Sequence, residues 1–196
     1  MALQQVSKER SRSIQKEATV MADESLAGWP IESKALATAL IKKYGAPAES
    51  TAHQLAWYGN GPWKRTVLYK EEVPHNFPMK HKAVLEQAVH YKVPVAKFGE
   101  LAEYDGAITA SRLLGEISVR SESEDSNFLT LNLAHDIVTG ERTVQQALAY
   151  HAQVIRGKMT GERGAYLEKL KFTPPKTSAE TADPGEVAPL IRHMAE

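Results

Sequence analysis

Beyond residue 30 the hydrophobic positions first recur at helical spacing. Leu36, Leu40, Ile41 and Tyr44 follow Pro30 and give way to Gly45, so the pattern predicts a helix over 30–44 that ends on a glycine able to adopt the left-handed backbone. The period then changes. Residues 53–58 and 63–70 are rich in aromatic and β-branched side chains and flank Gly59-Asn60-Gly61-Pro62, which predicts a β-hairpin around an Asn-Gly turn. In its second arm Trp63, Arg65, Val67 and Tyr69 share one side and Lys64, Thr66, Leu68 and Lys70 the other; the first side is expected to face the core.

Asn76 has cap chemistry, Pro78 suits a first helical turn, and Val84, Leu85, Ala88 and Val89 form a stripe up to Tyr91. A second helix is therefore expected over 76–91. Pro94 opens a short helix carrying Phe98, Leu101 and Tyr104, stopped by Asp105-Gly106. Residues 107–121 are strand-like, as one bent strand or two according to whether Gly115 is a bulge or a turn. Ser123 ahead of Glu124 and Asp125 starts a helix whose apolar run, Phe128, Leu129, Leu131, Leu133, Ala134, Ile137 and Val138, is too broad for a surface helix. After Thr139-Gly140, Thr143 and Gln146 have capping-box spacing, and Val144, Ala147, Leu148, His151, Val154, Ile155 and Met159 recur on one face of a last helix.

Strand-rich segments interspersed with helices, without regular βαβ alternation, predict an α+β protein: an antiparallel sheet including the hairpin, packed by helices mainly on one face. Residues 1–25 read as a flexible polar arm, 26–172 as a single domain and 173–196 as a Pro-rich linker with a short end segment. In that segment Val187, Leu190, Ile191 and Met194 have helix-in-groove spacing, so self-association or a protein partner is expected there.

The 196 residues carry 24 Lys and Arg against 24 Asp and Glu, which leaves no global field toward nucleic acid or an anionic membrane. Cysteine is absent, so disulfides, thiolate nucleophiles and Cys-type metal sites are excluded. Without a secretory apolar run or a stretch of membrane-spanning length, the expected location is the cytoplasm.

Histidines are the side chains with the most chemistry to offer. His75, His81 and His90 with Glu86 are the weak metal-ligand candidates, but on a helix over 76–91 only Glu86 and His90 share a face. Neither a metal nor another cofactor is expected. His75, His81, His135 and His151 are the catalytic candidates, and a site would need them gathered by the tertiary fold. His151 on an apolar stripe has the ordinary explanation of a core histidine with one satisfied nitrogen. Asp136, adjacent to His135, is poorly placed to orient it and is expected to meet Arg65 as a buried pair. Trp57, Tyr58, Trp63 and Tyr69 interleave with Lys64, Arg65 and Lys70 in a way that could serve nucleic acid, although alternation separates the aromatics from two of the three cations. The glycines at 59 and 61 lack the Lys-Ser/Thr continuation of a phosphate loop.

The strings KKYGAPAEST, NGPWKRTVLY, PHNFPMKH and NFLTLNLAHDIVTGERTV resemble a family of uncharacterised bacterial proteins, a resemblance that implies no activity. The first helix, Tyr44-Gly45-Ala46-Pro47 and the hairpin also resemble the start of small bacterial outer-membrane assembly lipoproteins, whose cysteine has no counterpart here. The leading expectation is a non-catalytic binding or assembly module. The first alternative is a small metal-dependent or acid–base enzyme using clustered histidines, and the second is nucleic-acid binding through the hairpin.

Overall fold

The computed structural model describes residues 26–162 and 164–176. The polar arm over 1–25 and the segment bearing Val187, Leu190, Ile191 and Met194 lie outside the described residues. Within them the order is α1 (Ile31–Tyr44), β1 (Glu49–Ser50), β2 (Gln54–Asn60), β3 (Trp63–His75), β4 (His81–His90), a 3₁₀ turn (Val95–Lys97) leading into α2 (Phe98–Tyr104), β5 (Ile108–Ser111), β6 (Glu116–Ser121), α3 (Glu124–Thr139), α4 (Val144–Met159) and α5 (Ala165–Glu168). The strands form one open antiparallel sheet in the order β1-β2-β3-β4-β6-β5. This is the α+β class the patterning predicts. Among the described residues no helix is long and apolar enough to cross a membrane.

The helices lie mainly on one face of the sheet. Leu55, Leu68 and Leu85 are successive cross-strand partners and pack against Trp29, Ala37 and Leu40 of the α1 region. Val89 and Ile117 continue the same face toward Leu129, Leu133 and Ile137 of α3. The central helix has the cap its sequence promises: the Ser123 side chain accepts from Ser126 N, with Glu124 and Asp125 in the first turn. At α4 both halves of the Thr143–Gln146 capping box are formed.

Three expectations are corrected. The helix over 76–91 does not form; residues 81–90 are β4, hydrogen-bonded to β3 on one side and β6 on the other. A central strand in this sheet buries Leu85, Gln87 and Val89 on one face and Val84 and Ala88 on the other, so it lacks the alternation that identifies a strand. The hairpin turn is Gly61-Pro62 and not Asn60-Gly61, because Asn60 pairs with Trp63; Gly61 takes φ 64, and a side chain there would meet the Tyr44 ring. Finally, Arg65, Val67 and Tyr69 do not face the helices. Arg65 pairs on the opposite face with Glu86 (3.0 Å) and Glu116 (3.2 Å), while Thr66 and Leu68 lie under the helices. Trp63 does reach the helical side, stacking on Phe128 at 4.8 Å. The segment 107–121 resolves into two strands, with Gly115 (φ 54) in the turn between them.

An irregularity in β3 positions the site. Leu68 pairs with Leu85 and Val73 with Ala83, so five steps along β3 answer two along β4. The guanidinium of Arg120 on β6 donates to Glu71 O (2.8 Å) and Ala83 O (3.2 Å), and stacks over the Tyr69 ring at 4.1 Å. Two backbone acceptors at the bulge are thus bonded by one side chain. Beyond this clamp the ladder resumes and ends on the pair His75–His81.

Candidate functional site

His75 and His81 close the β3–β4 ladder at the mouth of a cavity of about 310 Å³ whose other walls come from α3 and α4. Phe77, Met79, Ile155 and Met159 supply apolar wall, and His151, Asp105, Glu122, Ser126 and Thr130 supply polar groups. Asp105 arrives at the C-cap of α2, where its amide bonds Leu101 O; Glu122 arrives in the connection between β6 and α3.

A backbone carbonyl sets the His81 tautomer. His81 Nδ1 faces Met79 O at 3.0 Å, and a carbonyl can only accept, so Nδ1 carries the proton. His81 Nε2 lies 3.3 Å from His75 Nδ1 and 3.4 Å from Glu122 Oε2. His75 Nε2 faces Asp105 Oδ1 at 3.4 Å, an oxygen that already accepts the Ala107 amide at 2.9 Å. The second Glu122 oxygen, Oε1, accepts from Ser126 Oγ at 2.5 Å. Burial pushes the Asp105 carboxyl above its ordinary range, opposed by the Ala107 amide and the His75 and His81 imidazoles.

His151 faces the same cavity from α4. Its Nδ1 is 2.8 Å from the Tyr104 hydroxyl, and its ring packs edge-on to Phe77 at 4.9 Å. Burial raises the Tyr104 phenol well above its ordinary value, with the Asp105 charge adding to it, so the hydroxyl that shares this hydrogen bond stays protonated. Burial also lowers His151 to about 4, which keeps the ring neutral at pH 7.

Of the residues singled out from sequence, His75, His81 and His151 are brought together. Glu86 and His90 are not: Glu86 sits on the other face with Arg65 and Tyr69, and His90 ends β4 about 30 Å of strand away from His81. His135 is elsewhere too. Its Nδ1 shares a hydrogen bond of 2.7 Å with the Tyr91 hydroxyl, a phenol that burial pushes up to about 12, and its ring stacks on Phe172 at 4.5 Å. Asp136 does not meet Arg65; it binds Arg142 and accepts from Tyr166 OH at 3.0 Å. With Asn132, which takes Tyr166 O, Lys169 O and Lys171 N, these residues fasten residues 165–172 to α3.

Trp57, Trp63, Lys64 and Arg65 of the hairpin are engaged within the fold. Trp57 Nε1 donates to Gly45 O and Trp63 Nε1 to Glu124, while Lys64 and Arg65 both pair with Glu116. Asp105, Glu122 and Tyr104 are absent from the sequence-derived candidates. Asp105-Gly106 carries a helix-stop signal that is also correct, and it hides the carboxylate's second role. Among the described residues no group of three or more His, Asp or Glu side chains is placed to hold a metal ion. Comparisons with family models, curated proteins and solved structures gave no match.

Proposed function

We propose that the chain binds a small, partly apolar molecule in the His75–His81–His151 cavity and carries out acid–base chemistry on it. The observation that carries this reading is the convergence of three imidazoles with the Asp105 and Glu122 carboxylates at one solvent-reachable cavity. Its volume of about 310 Å³ is at the small end of ligand sites, which run from about 300 Å³ upward. Apolar wall from Phe77 and Ile155 would bury a ligand's body, and the imidazoles would orient its polar end. A neutral His151 held by Tyr104 offers a ring nitrogen without positive charge, while the His75–His81 pair, set between the Asp105 and Glu122 carboxylates, would handle the ligand's proton. The two roles are kept apart by environment, which is how one site can contain both an acid and a base.

The test uses full-length chain carrying ¹³C-methyl methionine and a fragment set of small carboxylates, amides, ketones and heterocycles. Binders are expected to move the Met79 and Met159 methyl signals, and to lose affinity at least tenfold in the His75→Ala/His81→Ala variant. A set in which nothing binds at millimolar concentration, or in which binding survives that variant, counts against the reading.

A further inference from the structure

We propose that Asp105 stores a proton for the cavity and delivers it through His75 and His81 to a proton-accepting oxygen or nitrogen of the bound ligand. This role rests on the ligand-binding reading of the same site and gives the proton handled by the two rings a source.

The Met79 carbonyl fixes the His81 proton on Nδ1, so in the neutral ring Nε2 is an acceptor. His75 Nδ1 lies 3.3 Å from that nitrogen and supplies the hydrogen between them. A neutral His75 then has a bare Nε2, and this is the nitrogen that faces Asp105 Oδ1 at 3.4 Å. An ionised Asp105 would set lone pair against lone pair there. A proton on the carboxyl makes the same contact donor against acceptor, and each ring nitrogen from Asp105 to Met79 then meets a group of the complementary kind.

The surroundings of Asp105 favour the acid. Its side chain is only 4 % exposed, and what faces it is an imidazole where a guanidinium or ammonium would hold it ionised. Burial lifts the carboxyl above its ordinary range against the pull of the Ala107 amide and the two rings, and the Glu122 charge acts in the same direction as burial. The titratable groups around Asp105 are thus His75 on β3, His81 on β4 and Glu122 ahead of α3, with Tyr104 beside it on α2 and His151 of α4 bonded to Tyr104.

The other end of the path is open. His81 Nε2 stands 3.4 Å from Glu122 Oε2, whose side chain is 40 % exposed at the cavity mouth. In delivery the Asp105 O–H bond breaks as His75 Nε2–H forms, His75 Nδ1–H breaks as His81 Nε2–H forms, and the Nε2 proton of His81 passes to the ligand. Asp105 is left as a carboxylate and both rings are neutral, His75 with its proton on the other nitrogen. A solvent proton taken at His81 Nε2 runs these steps backward and restores the acid.

The experiment is infrared spectroscopy at pH 7.5 of full-length chain with and without ¹³C-labelled aspartate, beside long-range ¹H–¹⁵N spectra of a histidine-labelled sample. A carboxylic-acid C=O stretch is expected to move with the label and to vanish in Asp105→Asn. Both His75 and His81 should be neutral with the proton on Nδ1. Asp105→Asn should leave these tautomers unchanged, because its amide can still donate toward His75 Nε2 although it has no proton to release. His75→Phe cuts the path, so deuteration of the Asp105 acid on transfer to D₂O should slow at least tenfold. Aspartate absorption wholly in the carboxylate region, an acid band that survives Asp105→Asn, a His75 proton on Nε2, or deuteration of His75→Phe at the wild-type rate overturns the proposal. If thermal melts show that either variant fails to fold, the wild-type infrared and nitrogen spectra decide alone. Fragment binding to a chain without the acid band would sink the proton store and leave the ligand-binding reading standing; the acid band and expected tautomers without any fragment binding would do the reverse.

Discussion

His75 and His81 are direct cross-strand partners at the last rung of the β3–β4 ladder, and their facing ring nitrogens stand 3.3 Å apart. Two imidazoles in that relation are held there by the sheet, the Met79 carbonyl and the Asp105 carboxylate together. The pair therefore reports on how firmly the end of the hairpin is fixed.

Arg120 is what fixes it. Replacing Arg120 with Ala removes the donors to Glu71 O and Ala83 O and the stack on Tyr69, at an expected cost of about 2 kcal/mol. Amide hydrogen exchange should accelerate at residues 71–75 and 81–83 far more than in α4. Uniform acceleration through the whole domain would mean that the bulge is not locally clamped.

His151 makes stability depend on pH with a definite sign. An unfolded imidazole titrates near 6.5 and the folded one at about 4, so as pH falls between these values only the unfolded chain gains the proton. Stability is then complete above about 6.5 and declines as pH falls toward 4, by roughly 3 kcal/mol in all. The groups acting on this ring are Glu122, His81 and His75, with Tyr104 bonded to it. His151→Phe should cost stability at pH 7.5, where Tyr104 loses its hydrogen-bond partner, yet close the gap or overtake the wild type by pH 4.5 in urea titrations. A difference between the two proteins that does not vary with pH would refute this.

Glu124 ties α1, β3 and β4 together at the start of α3. It accepts from Trp63 Nε1 at 2.6 Å and Gln87 Nε2 at 3.3 Å, and from Lys43 and Tyr44 of α1. Burial works to raise its carboxyl, but the hydrogen bonds from Lys43, Tyr44 and Trp63 outweigh it and hold the group below its ordinary range. Its contribution is accordingly present above the ordinary carboxylate range and lost as pH falls through the lowered folded value. Glu124→Ala strands those donors and should cost about 3 kcal/mol at pH 7, measured by denaturant midpoint.

Asn132 fastens the chain that follows α4. Its side-chain amide donates to Tyr166 O at 3.1 Å and Lys169 O at 2.9 Å, and its oxygen accepts Lys171 N at 2.6 Å. Asn132→Ala should expose residues 165–172 to limited proteolysis while the far-UV dichroism changes little. If the cleavage pattern matches the wild type, the three bonds are not what holds the segment.

The elements legible in the sequence are those set by neighbours three or four residues apart. Ser123 with Ser126, and Thr143 with Gln146, form caps from side chains that are close in any helix, so their spacing alone is informative. β4 was not legible as a strand, because Val84 and Leu85 are both buried, on opposite faces, and the period-two signal vanishes. A helix there gives His75 and His81 no cross-strand register; a hairpin turning through Asn76 and Pro78 pairs them directly. Asp105 and Glu122 carry no local mark of their role, since each gains it only when α2 and the β6–α3 connection are folded against the end of β3–β4. The same dependence on tertiary contact explains Arg65, whose partners Glu86 and Glu116 come from two other strands.

The most direct test of a shared histidine cavity is a nuclear Overhauser spectrum of histidine- and phenylalanine-labelled full-length chain. Ring-to-ring cross-peaks are expected between His75 and His81 and between Phe77 and His151, whose centroids are each 4.9 Å apart. Sharp, assigned rings that show neither contact would contradict the account.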